Sequence, residues 1–482
     1  MKKRLLAALV ASAAVLSLAG CNTNNNSTPA TSGDSNTSGT SSDTTSSDTT
    51  SGDTSEPVVS GKGVDATEEQ KKAGTGIKLS DTEGKVFNIA VWNEEWKGFF
   101  EKYYTVPEGV TVNFLVTPSE GGAYQSKLDE YLLANETASA DEKIDLFLAE
   151  ADYIKKYANS DLTVDLSTLG INQLKTEYQY TVDAASDVNG TIKGVSFQAC
   201  PAAVIYRRSI AKDVLGTDDP EKVQEALSSW DKFNEVAKTA KEKGYYMTPS
   251  ALETYRTFAN NSTNSFLTSD NVFQTTDGFD KWLAQAEDFM ANGYTIGCKL
   301  WADEKSAQMG TEGKTLCFFG PAWYYNFCMG TAMEQTKGDW AICKGPQEYF
   351  WGGTWLMAPK GTDNPEMLAD IINAFTANED LLSNLVSKEN QFVNNTNVID
   401  KFATDASYGN EFLGGQNDIA LMNEVAQGIV WKVDLHTQYD QTFNETLPER
   451  ILEYLNGACT KDEAFANFGK DLSEKAPTVK VS

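Results

Sequence analysis

The chain has 482 residues, a single histidine and a formal charge of −28, from 40 Lys and Arg against 68 Asp and Glu. Its length supplies core for at least two domains. The acid excess repels a polyanion such as nucleic acid, and the lone His436 excludes a multi-histidine zinc centre.

Lys2, Lys3 and Arg4 precede an apolar run from Leu5 to Leu18. A charged start, a short apolar stretch and small residues before a cleavage point predict an export signal, not a membrane span. Leu18-Ala19-Gly20-Cys21 resembles the lipobox of bacterial lipoproteins. That resemblance implies removal of residues 1–20 and a lipid anchor on Cys21, at the extracytoplasmic face of the cell membrane. Residues 22–57 are almost entirely Ser, Thr, Asn, Asp and Gly, with no aromatic residue. Such a stretch cannot bury enough apolar surface to offset its ordering entropy. It reads as a flexible tether, and residues 21–80 are assigned to anchor and tether together. Cys200, Cys298, Cys317, Cys328, Cys343 and Cys459 remain, with no C-x-x-C spacing, and are expected to be buried free thiols.

Strand and helix signals alternate from about residue 85. Val86 to Trp92, Val110 to Val116 and Ile144 to Ala149 are strand-like. Tyr124, Leu128, Tyr131 and Leu132 share one face of a helix over 124–134. Asn189-Gly190 predicts a tight hairpin turn with two positive φ values. An EF-hand loop here fails, because its first and last ligand positions fall on Ala185 and Ser196. Asp219-Pro220 opens a helix, and Ser229-Trp230 opens another that Gly244 stops. Further helices are expected over 280–290, 367–376, 445–455 and 461–472. This alternation predicts α/β layers. Trp230 and Trp282 fall in helices and are expected in the core.

There is no G-x-G-x-x-G, no phosphate-binding lysine loop and no G-x-S-x-G elbow. No cofactor is called for. Carboxylates are abundant, but no spacing singles out an acid/base pair for glycoside hydrolysis. Aromatics are more telling. Trp92-Asn93-Glu94-Glu95-Trp96 follows the first strand; Phe319 to Asn326 and Tyr349 to Trp355 are two further clusters beside Gly and Pro. In α/β proteins these strand ends hold ligands. Flat rings cover the C–H face of a sugar, and carboxylates and amides meet its hydroxyl rim.

Several stretches, in order, resemble the extracellular solute-binding proteins of carbohydrate ABC transporters (family 1, akin to maltose-binding protein). They are Ile144 to Ile154, followed by Asp165-Leu166-Ser167; Gly190 to Val195, leading to Ala203 to Arg208; Trp230-Asp231-Lys232-Phe233; Gly320-Pro321-Ala322-Trp323; and Gly352 to Lys360, followed by Asn364-Pro365-Glu366. The resemblance covers roughly residues 85–475. It implies a two-lobed, type II periplasmic-binding-protein-like fold, with the ligand cleft between lobes joined by a multi-strand hinge. By position, the crossings fall near 197–203, 344–352 and 391–398. The implied N-terminal lobe is 81–199 with 346–392, and the C-terminal lobe 200–345 with 393–482.

Carried over residue by residue, the resemblance implies ligand contacts at Asn93 and Glu94, at Glu150 and Asp152, and at Glu253 and Tyr255. It implies stacking on Trp323, with Trp92 and Trp351 as further aromatic candidates, and looser contacts at Tyr439 and Asp440. The first-strand loop lacks the lysine of maltose-binding protein, so maltose specificity does not carry over. The expectation is a monomeric, lipid-anchored, non-enzymatic protein that captures a neutral oligosaccharide for an ABC permease. The alternatives are a binder of a non-sugar solute, a surface glycan adhesin and a surface hydrolase.

Overall fold

The computed structural model describes residues 61–481. Cys21, the export signal and most of the expected tether lie outside them. Nine strands are described: β1 Val86–Val91, β2 Thr111–Val116, β3 Leu146–Glu150, β4 Gly194–Ser196, β5 Pro201–Arg207, β6 Cys317–Pro321, β7 Trp340–Cys343, β8 Tyr349–Phe350 and β9 Thr354–Met357. They form two sheets, one per lobe.

The first sheet has the order β2-β1-β3-β9-β4. β1 runs parallel to β2 and β3, while β9 is antiparallel to β3 and β4. Five of the six β1 residues are buried, as an apolar run covered on both faces requires. The β1–β2 and β2–β3 crossovers carry helices Glu95–Tyr103 and Ala123–Ala134. In the second sheet β5 is central, antiparallel to β6, β7 and β8, and buried along its whole length.

Capping explains where the helices of the second lobe begin. Asp219 accepts from the amides of Glu221 and Lys222 ahead of Pro220–Ala226. Ser229 accepts from Lys232 ahead of Trp230–Glu242. Thr276 caps Asp277–Asn292, which therefore starts a turn earlier than apolar spacing predicts, and Gly293 at φ 67° ends it. Thr460 and Glu463 form a capping box on Lys461–Lys475. Trp282 is fully buried, and Trp230 lies stacked on Phe258 at 4.0 Å.

Three sequence expectations need correction. The tether does not extend to residue 80. Val64 bridges to Leu174, the Gln70 amide donates to Asn373, and the Gly74 N–H donates to Asp370, so residues 64–74 are docked on the body. The Asn189-Gly190 turn has one positive φ, at Gly190, not two. The Asp187 carboxylate accepts from the amides of Asn189 and Thr191 at 2.8 Å, and this side-chain turn replaces the mirror-image backbone turn. The helix expected from Glu445 starts at Leu447, because a wide turn of π type occupies Thr442–Thr446. The six cysteines of the body are unpaired; Cys200, Cys317 and Cys343 are buried and the other three half-buried.

Three segments pass between the sheets side by side. Residues 197–200 link β4 to β5, 351–353 link β8 to β9, and 391–394 return towards the second lobe. Gln198 pairs with Val393, the Ala199 N–H donates to Phe392, and the Trp351 N–H donates to Cys200. A buried amide contact, Gln198 to Gln391 at 2.5 Å, crosses them. Cys200 at φ 52° and Gly352 at φ 77° turn the first two segments sharply.

Candidate functional site

The site sits where these crossings meet the ends of β3 and β6. Asp152, two residues beyond β3, belongs to the first lobe. Arg256, the second residue of helix Tyr255–Asn260, belongs to the second. The guanidinium grips the carboxylate bidentately, Nη1 to Oδ1 and Nη2 to Oδ2 at 2.5 Å each. The Asn444 amide donates to the same carboxylate at 2.8 Å. On the same side Gln125 of the first lobe meets Gln441 of the second. Asp152 and Arg256 line a small cavity with Trp351, Gly352, Trp431, His436 and Asp440. His436 stacks flat on Trp431 at 3.6 Å, and its Nδ1 bonds Asp440 at 2.8 Å.

The electrostatics follow from many acids facing one cation. Burial pushes the Glu150 carboxyl well above its ordinary range; the neighbouring Asp152 carboxylate adds to this and Arg256 opposes it. Glu445, whose side chain also reaches solvent, is pushed up by the same causes in the same order. Burial pushes Glu95 up to about 7. Burial disfavours the Arg256 charge, and the Asp152 carboxylate overrides it, so the guanidinium stays charged.

An aromatic cluster adjoins the ion pair. The Trp351 ring lies 5.9 Å from the Arg256 guanidinium carbon and 5.3 Å, edge to face, from Trp323. The Trp323 indole N–H donates to the Trp351 carbonyl at 3.2 Å. Gly352 packs beside the Trp323 indole nitrogen and Glu150 Oε1, and its φ of 77° is the left-handed conformation that favours glycine. Trp301 continues the cluster, 5.7 Å from Trp351.

The expected contact residues separate into groups. Asp152, Trp351 and Asp440 share the small cavity, and Glu150 and Trp323 stand beside it. Trp92 is half-buried, edge-on to Tyr124 and Tyr153. Asn93 accepts the Glu95 N–H and so starts the following helix; Glu94 is exposed and paired with Lys97 at 2.6 Å. The Tyr439 hydroxyl bonds the Thr478 hydroxyl at 2.7 Å, and Tyr439 does not line the small cavity. Two residues are withdrawn from the contact set. Tyr255 is 2% exposed, its ring edge-on to Trp282 and its hydroxyl donating to the Phe443 carbonyl at 3.0 Å. Glu253 is fully buried against Lys305 at 3.0 Å and accepts from the Phe319 N–H and the Tyr324 hydroxyl. Neither has a free face for a ligand. Sequence reasoning missed Arg256, Asn444, Trp431, His436 and Trp301. Arg256 follows Tyr255 directly, and its charge beside an aromatic was the available signal.

The sequence profile of bacterial extracellular solute-binding proteins matches residues 100–408. A comparison with curated protein sequences gives no match. Among solved structures, an extracellular solute-binding protein of family 1 superposes with TM-score 0.65 at 18% identity, over 81% of this chain and 99% of that one. The ABC-transporter-associated binding protein from B. animalis subsp. lactis Bl-04, in complex with β-1,6-galactobiose, gives 0.62 at 15%, over 83% and 100%. The galacto-N-biose-/lacto-N-biose I-binding protein from Bifidobacterium longum, in complex with lacto-N-biose, gives 0.61 at 13%, over 84% and 100%. At these identities the likeness establishes the two-lobed fold. With the profile spanning well over half its length, the chain belongs to the bacterial extracellular solute-binding protein family.

Proposed function

We propose that this protein captures a neutral oligosaccharide between its lobes and hands it to an ABC permease. It performs no covalent chemistry, and Cys21 tethers it as a monomer to the outer face of the cell membrane. The observation that carries this reading is the meeting of Trp351 and Trp323 with Asp152, Arg256 and Glu150 at the crossing segments. Rings suit the C–H faces of a sugar, and the charged groups suit its hydroxyls. Burial raises the Glu150 carboxyl above its ordinary range and Asp152 is paired to Arg256, so these two acids add less net charge than their number suggests, which favours an uncharged ligand. The sugars bound by the two bifidobacterial structures support the same class.

A ligand that touches both lobes shifts the open–closed equilibrium, since only the closed form supplies both sets of contacts. Calorimetric titration with a panel of plant and host oligosaccharides tests this. Wild type binds at least one member tightly, and Trp323→Ala weakens it. Tight binding that Trp323→Ala leaves unchanged sinks the site assignment. The excess of carboxylates over Arg256, with Asp440 and Glu445 nearby, favours a second reading, a cationic solute. Spermidine and basic amino acids in the same titrations separate the two.

A further inference from the structure

Tyr255 is sealed inside the second lobe, yet its hydroxyl reaches the group that meets the first. It opens helix Tyr255–Asn260, and successive helical residues point about 100° apart. The Tyr255 ring therefore packs inward, edge-on to Trp282 at 5.0 Å, while Arg256 reaches the Asp152 carboxylate across the lobes. The Tyr255 hydroxyl lies 3.0 Å from the Phe443 carbonyl and 3.2 Å from Asn444 Oδ1. Both acceptors belong to the wide turn Thr442–Thr446, where the chain departs from ordinary helix geometry just ahead of helix Leu447–Leu455.

An amide side chain has one accepting end and one donating end, and a carboxylate gains from it in one orientation only. With the Tyr255 hydroxyl donating to Oδ1, the Asn444 nitrogen faces Asp152 Oδ1 at 2.8 Å. Turned over, the same amide would set its oxygen against the carboxylate. The wide turn thus supplies the place and the hydroxyl supplies the orientation. One short helix serves both second-lobe donors to Asp152: it carries Arg256, and through Tyr255 it aims Asn444.

We infer that Tyr255 is a positioning residue for lobe closure: its hydroxyl aims the Asn444 amide at Asp152, so the core of the second lobe sets the strength of a contact made across the cleft. The inference rests on the open–closed motion in the reading above, and not on which solute is captured.

The test is amide hydrogen exchange, read by mass spectrometry at residues 150–153 of the first lobe, on the mature chain without added solute. There the Asp152 and Tyr153 N–H groups bond Glu150 of their own lobe, at 2.8 and 3.1 Å. A second-lobe substitution reaches them by changing how often the lobes part. Tyr255→Phe keeps the ring and removes the hydroxyl, and Asn444→Ala removes the aimed amide. Thr254→Val deletes a buried hydroxyl that donates to Gln285 at 2.7 Å, and so loosens the second lobe alone. Thermal unfolding verifies that every variant folds. Tyr255→Phe is expected to speed exchange at 150–153 by about fivefold and Asn444→Ala by about tenfold, as loss of a hydrogen bond to a neutral and to a charged partner does. The double variant exchanges no faster than Asn444→Ala, and Thr254→Val keeps the wild-type rate. A wild-type rate in Tyr255→Phe, additive effects in the double variant, or an equal gain in Thr254→Val overturns the positioning role. Failure of the sugar reading shows separately, as a wild type that binds no oligosaccharide in calorimetry, and leaves this comparison standing.

Discussion

Asp152 and Arg256 meet across the lobes as a desolvated, bidentate pair, whereas Trp301 and Phe327, in the adjoining aromatic cluster, leave more than half their surface bare. The first arrangement joins the two lobes. The second belongs to one lobe and has no protein partner over its exposed faces. Charge-assisted hydrogen bonds are directional and lose their worth once either partner moves. Apolar ring area is tolerant of what covers it. The contrast teaches how differently two ends of one cluster are satisfied: the polar end fixes how the lobes meet, and the aromatic end leaves apolar surface uncovered.

The largest effect should come from breaking the polar end. Asp152→Ala leaves the Arg256 guanidinium buried and unpaired in the closed form, at a cost of about 3–5 kcal/mol. Small-angle scattering should show a larger radius of gyration, and the double variant Asp152→Leu/Arg256→Met should restore the compact form. An unchanged radius in Asp152→Ala would remove the pair from any role in closure. Next, Trp323→Ala should weaken sugar binding by about 2 kcal/mol, roughly 30-fold, as removal of a central aromatic anchor does.

The last prediction tests the scaffold away from both ends. Glu177 is buried and accepts from the Leu174 N–H at 3.2 Å, and burial pushes its carboxyl up to about 8. An acid whose folded pKa is raised stays protonated in the fold while the unfolded chain ionises. Its contribution is therefore full below pH 4.5, falls as pH rises, and levels off above about 8. A tenfold change in proton affinity is worth about 1.4 kcal/mol, enough to move the Tm of a body this size by roughly 1–2 °C. Glu177→Gln should flatten the fall in Tm between pH 5 and 8, measured by calorimetric melting, without altering sugar affinity. A slope as steep as wild type would assign it to other groups.

The scaffold was largely legible in the sequence because its signals are local. The apolar runs of β1 and β3 and the caps at Asp219 and Ser229 each act within a few residues. The site was legible only in part, because its decisive contacts are not local. Asp152 was found, but its partners Arg256 and Asn444 lie 104 and 292 residues away. Glu253 and Tyr255 show the converse. Their types and spacing suit a sugar, yet the Lys305 ammonium and the Phe443 carbonyl claim them inside the second lobe. No periodicity reports which buried partner a polar side chain will meet. The end of the tether was misplaced for the same reason, since Asp370 and Asn373 hold residues 70–74 from far along the chain.

The indole cluster has one more consequence. Trp301 and Trp323 each lie within 6 Å of Trp351, and only Trp301 is largely open to water. Trp282, Trp340 and Trp355 are sealed in the core and supply a constant background. Light absorbed by any indole of the cluster can migrate to its neighbours before emission. Covering Trp301 with a solute would therefore move the emission to shorter wavelength and change its yield. Emission from this cluster thus reports, without a dye, on whatever covers the Trp301 ring.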